Sequence, residues 1–119
     1  MRLQMESGTF SAAVVGSVLL ATISFASVSE AANLENGKAK AEQVCSACHG
    51  KDGNTPVDPS YPRLAGQHED YLRQALTDYR SESRKNAIMA AQAKALTKQE
   101  VRDVAAYYAS LPGQLIVRK

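Results

Sequence analysis

The sequence predicts a small all-α domain in which three main helices are connected by long loops. Apolar residues recur at intervals of three and four at about residues 36–48, 67–82 and 98–111, which is the spacing of one helix face. No segment has the alternation of apolar and polar residues that is typical of a half-buried strand. A chain of 119 residues is enough for one domain, and it contains no internal repeat.

The first predicted helix carries both cysteines of the chain. Asn36 is a suitable cap for its start, and the helix extends to about Cys48. Ala41, Val44, Cys45 and Cys48 follow one another at spacings of three and four residues. The two cysteines are therefore expected on one face of this helix.

The other two helices are expected to pack on a shared core. The third has the clearest start, because Thr97 and Glu100 form a capping box, and Pro112-Gly113 ends it. The apolar stripe of the second helix consists of Leu72, Ala75, Leu76 and Tyr79. The face of the third helix that is predicted to be buried consists of Val101, Val104, Ala105, Tyr108 and Leu111.

The segment between the first two helices, residues 50–66, is predicted to be a long loop. It holds three of the four prolines and three of the seven glycines. A structureless loop of this length is uncommon in a small domain unless it is functional, so we expect it to wrap around a ligand. Residues 83–96 contain Met89 and several alanines, and the pattern does not decide whether they are helical.

The N-terminal residues have the features of an export signal. Residues 12–26 are an apolar run without a charge, one arginine precedes it, and Ser29-Glu30-Ala31 offers small residues at the spacing of a cleavage site. We therefore predict that residues 1–31 are a signal peptide, cut after Ala31 or Ala32. The alternative is an uncleaved anchor, since an apolar stretch of about 18 residues is near the lower limit for a spanning helix.

The remaining domain, residues 32–119, has few large apolar residues for a core. It contains 14 Leu, Ile and Val and neither Phe nor Trp, which is below the roughly 20% expected of a stable globular chain. A small exported chain of this kind needs disulfides, a metal or a large apolar cofactor. Its charge, from 13 Lys and Arg against 10 Asp and Glu, is too small to indicate nucleic-acid binding.

Cys45-Ser46-Ala47-Cys48-His49 is the motif that carries chemistry. A redox pair would begin a helix after a strand, whereas this pair ends a helix. A zinc site could use Cys45, Cys48, His49 and His68, but neighbouring residues of a helix resist pointing at one ion. A disulfide or two structural thiols is a third alternative.

Covalent haem fits the motif best, because Cys-x-x-Cys-His is the attachment signal of c-type haem and side chains three residues apart lie about 5–6 Å from each other.

If His49 is one axial iron ligand, the other has to come from elsewhere in the chain. Met89 is the only methionine after the predicted signal and lies beyond the second helix, so it can approach the iron from the opposite side. His68 and an open coordination site are the alternatives. Ligation by Met and His raises the reduction potential and leaves no free position for oxygen or peroxide.

At this point the chain resembles the class I c-type cytochromes, especially one half of the dihaem periplasmic cytochromes and their single-haem relatives. The match covers most of residues 36–111. The residues that carry it are the motif at 45–49, Tyr61-Pro62-Arg63-Leu64-Ala65-Gly66-Gln67, Tyr71-Leu72, Arg84, Asn86, Met89 and Ala105-Ala106-Tyr107-Tyr108. This chain has no second Cys-x-x-Cys-His, which implies one haem within a small cytochrome c fold.

The resemblance implies a role for each site residue. Cys45 and Cys48 would hold the haem, His49 and Met89 would be the axial ligands, and the Pro62 carbonyl would accept a hydrogen bond from His49. It also implies that the first and last helices cross at Gly37, opposite Tyr107. The segment before Met89 lacks a proline that is frequent in the dihaem relatives, so we expect a softer ligand loop.

Motif and resemblance together predict a periplasmic electron-transfer protein, not an enzyme, whose haem c cycles between Fe(II) and Fe(III). The alternative is a cytochrome subunit of a periplasmic dehydrogenase or oxidase complex, and a third hypothesis is a haem-based sensor or peroxidase. We expect a monomer that meets redox proteins transiently, with no membrane span after cleavage and no nucleic acid. Candidate steering charges are Arg63, Arg80, Arg84 and Lys85.

Overall fold

The computed structural model describes residues 30–114, and every regular element in this range is helical. The elements are α1 (Leu34–Lys40), a π-helical turn (Ala41–Cys45), α2 (Ser46–His49), α3 (Glu69–Arg80), α4 (Ala87–Ala95) and α5 (Lys98–Ser110). The predicted all-α class is confirmed.

The predicted signal peptide, residues 1–31, lies almost wholly outside the described residues. It stays a prediction, as does the domain assignment of residues 32–119. Among residues 30–114, the helices are all too short or too polar to cross a membrane.

Helix α1, the π turn and α2 follow one another without a break and bring the chain to His49. The expected cap was wrong: Asn33 caps the helix, and its side chain accepts a hydrogen bond from the backbone N–H of Asn36 at 3.0 Å. A π turn fits one more residue into its turn than an α-helix does. It therefore changes the direction of the side chains that follow, and it does so at Cys45, where the motif begins.

The loop of residues 50–66 is closed by backbone hydrogen bonds. The carbonyl of Gly53 accepts hydrogen bonds from the N–H groups of Leu64, at 2.8 Å, and Ala65, at 3.1 Å. Gly53 has a φ of +66°, and a Cβ on it would lie 2.9 Å from Cε1 of Tyr108. Glycine is needed here both for the left-handed backbone and for the approach of the loop to α5.

Residues 83–96, which the sequence pattern left undecided, contain a fourth main helix. Helix α4 begins after Asn86, whose side chain accepts a hydrogen bond from the N–H of Met89 at 2.9 Å. Ala90 and Ala93 are buried, and α4 packs on α3. The apolar pattern misses this helix because small alanines form its buried face.

The core lies where α3 and α5 meet the run that begins with α1. Its buried cluster consists of Ala41, Leu72, Val104, Ala105 and Tyr108. The capping box of α5 is present as predicted, and four of the five residues predicted on its buried face are buried, Leu111 being the half-buried one. Among residues 30–114, six of the eleven buried apolar residues are alanines, so this interior is as poor in large side chains as the composition suggested.

Gly37 allows α1 and α5 to cross, as the resemblance implied. A Cβ at this position would lie 2.1 Å from the carbonyl oxygen of Asp103 and 2.9 Å from Cβ of Tyr107. We expect Gly37→Ala to lower the free energy of unfolding by at least about 2 kcal/mol, because the backbone of α5 would have to move. Ala39→Gly, at an exposed position of the same helix, is the control and should cost about 1 kcal/mol.

Thermal unfolding of the haem-loaded protein measures both variants. A Gly37→Ala protein as stable as the unchanged chain would contradict the close crossing.

Candidate haem site

Cys45 and Cys48 are half-buried, and neither is in a disulfide. Burial raises the pKa of the Cys45 thiol, although the neighbouring Tyr108 side chain opposes that shift. Thiol exchange and zinc binding both use the thiolate. The surroundings of Cys45 therefore favour a neutral sulfur, which argues against a reactive redox pair.

The geometry of the described residues gives the zinc hypothesis no support. Within residues 30–114, no three side chains of His, Cys, Asp or Glu come together in a way that could hold a metal ion. His68 is exposed at the start of α3. The fourth ligand that this hypothesis needed is not brought to the two cysteines.

The imidazole of His49 is buried and held in one orientation. The side chain is 6% exposed, and Nδ1 lies 2.9 Å from the carbonyl oxygen of Pro62. A carbonyl oxygen only accepts hydrogen bonds, so Nδ1 carries the proton and donates it. The lone pair is then on Nε2. This atom forms no hydrogen bond within the described residues and retains some solvent accessibility. This is the state that an imidazole needs in order to ligate a metal.

Met89 lies in the first turn of α4 and is half-buried. The segment expected to be a soft loop is a helical turn, and the side chain of Asn86 fixes the backbone N–H of Met89. Its neighbour Ile88 is 57% exposed, so the two side chains have different surroundings. α4 packs on α3, and Met89 lies on a different element from His49.

Part of the apolar surface beside the core is only half covered by protein. Cys45, Leu64 and Leu76 pack against the core cluster without being buried themselves, and on α3 the stripe residues Ala75 and Tyr79 are also half-buried. A flat apolar group would cover such surface. Two thiols, an oriented imidazole and a half-buried thioether are donors of the types that haem c uses, so these residues fit the group.

Two residues near the motif were not predicted as part of the site. Tyr108 was expected only as a core residue, yet its hydroxyl contacts Cys45. The ring of Tyr61 lies 6.3 Å from that of His49 and is tilted by 56° to it. Helical spacing predicts that Tyr108 is buried but does not predict which residue its hydroxyl contacts. Tyr61 lies in a loop, where helical spacing makes no prediction.

Comparison with known proteins agrees with this geometry. The chain is 51% identical over 76 residues to cytochrome c4 of Thiocapsa roseopersicina, covering 64% of this chain and 38% of that one. It is 34% identical over 108 residues to a protein named thiosulfate dehydrogenase electron acceptor from Stutzerimonas stutzeri, covering 91% and 50%. The crystal structure of reduced cytochrome c4 from Pseudomonas stutzeri superposes with a TM-score of 0.64 at 38% identity, covering 71% and 48%.

The chain spans half or less of the length of these relatives, so the match is to one part of each. The family model described as cytochrome c matches residues 34–112, from the start of α1 to two residues beyond the end of α5. This range includes the motif, the loop that contacts His49 and the helix that carries Met89. The chain therefore belongs to the cytochrome c family, whose cofactor is covalently bound haem c.

Proposed function

We propose that this chain is a periplasmic electron-transfer protein with one haem c, attached through Cys45 and Cys48 and ligated by His49 and Met89. The observation that carries the proposal is the buried His49 ring, whose Nδ1 donates to Pro62 and whose Nε2 is left without a partner among the described residues. The bound haem supplies a reversible one-electron couple between Fe(II) and Fe(III).

The protein's contribution is to hold its ligands still. The hydrogen bond from Nδ1 to the Pro62 carbonyl prevents the imidazole from rotating and makes Nε2 a better electron donor. The Asn86 cap fixes the backbone at Met89. Because both ligands are held by the fold, little has to reorganise when the charge of the site changes by one. That condition suits electron transfer.

Two protein ligands also leave no coordination position for a substrate, which favours a carrier over an enzyme, a sensor or a peroxidase. The named role of one relative as an electron acceptor is in keeping with this. The periplasmic location rests on the predicted export signal and on the attachment motif. We propose partners that are redox proteins and complexes that are short-lived.

The test is the visible spectrum of the protein produced with an export and haem-maturation system. We expect one haem per chain, a sharp reduced c-type spectrum, a weak far-red band in the oxidised form and no change on adding carbon monoxide. A shift with carbon monoxide would point to sensing or catalysis, and absence of haem would sink the proposal.

A permanent cytochrome subunit of a dehydrogenase or oxidase is the second candidate function. The exposed large apolar residues of the described range, Leu34, Val57, Tyr71 and Ile88, come from four different segments. Purification from the native periplasm separates the two candidates. A carrier should elute at the mass of the single chain, whereas a subunit should elute with its partner.

A further inference from the structure

Four of the six residues that line a groove between α3 and α5 are positively charged. Its lining residues are Arg73, Thr77, Arg80, Lys98, Val101 and Arg102, and its volume is about 380 Å³. Val101 is buried and supplies an apolar contact beside the cations. None of the residues proposed to bind haem lines this groove, so it is a separate feature of the fold.

The cations of the groove have few partners of their own. Arg73, Arg80 and Lys98 make no side-chain hydrogen bond or ion pair within residues 30–114. Arg102 donates to the Gln99 side chain through Nε and one terminal nitrogen, which leaves the other terminal nitrogen for a ligand. Three guanidinium groups and one ammonium group can therefore donate into one groove.

Three carboxylates of the two helices have other partners. Glu100 on α5 forms an ion pair with Lys40 at 2.8 Å. Asp103 accepts a hydrogen bond from the backbone N–H of Asn33 at 2.8 Å. Both acids of α5 therefore interact with α1 or with its cap. On α3, Asp78 accepts from the side chain of Gln74 at 2.8 Å. No carboxylate of α3 or α5, Glu69 and Asp70 included, forms an ion pair with a cation of the groove within residues 30–114.

Without a bound anion, the cations of the groove repel each other and interact unfavourably with the dipole of α5. Lys98 and Arg102 are four residues apart on one helix, where like charges repel each other. Lys98 also lies in the first turn of α5, where the helix dipole disfavours a cation and attracts an anion. A bound anion would relieve both effects.

We propose that the α3–α5 groove binds a small polyvalent oxyanion of the phosphate or diphosphate class. Arginine presents paired donors that match two oxygens of one phosphate group. Arg73 and Arg80 on α3 have such pairs free, and α5 adds Lys98 and the remaining terminal nitrogen of Arg102. A cleft of about 380 Å³ falls in the range of small-molecule sites and has room for more than one phosphate group.

The experiment is isothermal titration of the haem-loaded protein with pyrophosphate at constant ionic strength. We expect saturable binding of one pyrophosphate per chain. The double variant Arg80→Gln with Lys98→Gln removes one cation from each helix and should weaken binding by at least about tenfold, since charged hydrogen bonds are lost. The control, Lys51→Gln with Lys85→Gln, removes the same charge outside the groove and should leave the affinity nearly unchanged.

A second measurement does not depend on the variants folding. Amide chemical shifts of the unchanged reduced protein should move on adding pyrophosphate at Thr77, Arg80 and Arg102 and stay constant at Asn33 and Lys38. Absence of saturable heat would overturn the proposal, as would equal weakening in both double variants, which would mean attraction by net charge alone. Binding to phosphatidylglycerol vesicles that pyrophosphate does not compete with would also overturn it, in favour of a membrane surface.

Discussion

Replacing both cysteines, Cys45→Ala with Cys48→Ala, is expected to give a chain without bound haem and without most of its helical structure. The reason is the interior of the domain. In the part of the chain that the structure describes, only five buried apolar residues are larger than alanine, namely Leu72, Leu96, Val101, Val104 and Tyr108. Burying such a side chain contributes about 1.5–3 kcal/mol, whereas ordering each residue of the backbone costs about 1–2 kcal/mol. The covalently held porphyrin is expected to supply the missing apolar contact.

Helicity by far-ultraviolet circular dichroism and haem staining on a denaturing gel measure this effect. Ala47→Ser changes an exposed residue between the two cysteines and should keep both the haem and the fold. A single Cys45→Ala variant should retain haem at the Cys48 thiol and show intermediate stability. A haem-free double variant with full helicity and cooperative melting would contradict the proposed dependence of the fold on haem.

Local rules were enough to predict most of the helices. The capping box at Thr97 and Glu100 and the apolar spacing of α5 depend only on neighbours along the chain, and both are present in the structure. The rules failed where side chains are small or polar. Helix α4 buries alanines, which give no apolar pattern, and Asp103 is 2% exposed because its carboxylate binds the start of α1, a contact 70 residues away in sequence.

The residues of the candidate site also fall into two groups, those that local spacing predicts and those that it does not. Cys45, Cys48 and His49 form a continuous motif, so spacing alone is enough to suggest their chemistry. The hydrogen bond between His49 and Pro62 joins the motif to a loop without periodicity, and only the resemblance to a family pointed to it. The contact of Tyr108 with Cys45 depends on how α5 crosses the first helical run, which no local pattern predicts.

Replacing Met89 with alanine is expected to open the sixth coordination position while leaving the haem attached. The side chain is in the first turn of α4, and its backbone is held by the Asn86 cap, which the substitution keeps. Ala90 and Ala93 continue to anchor the helix. Because thioether ligation raises the reduction potential, the variant should have a lower potential, lose the weak far-red band of the oxidised form and bind carbon monoxide when reduced.

Two further variants decide which side chain is the ligand. Ile88→Ala removes an exposed apolar residue next to Met89 and should leave the potential and the carbon monoxide response unchanged. His68→Ala tests the rival ligand and should also change nothing, since His68 is exposed at the start of α3. If His68→Ala bound carbon monoxide and Met89→Ala did not, the axial assignment would pass to the histidine. The lower potential of two imidazole ligands would then require a different class of redox partner.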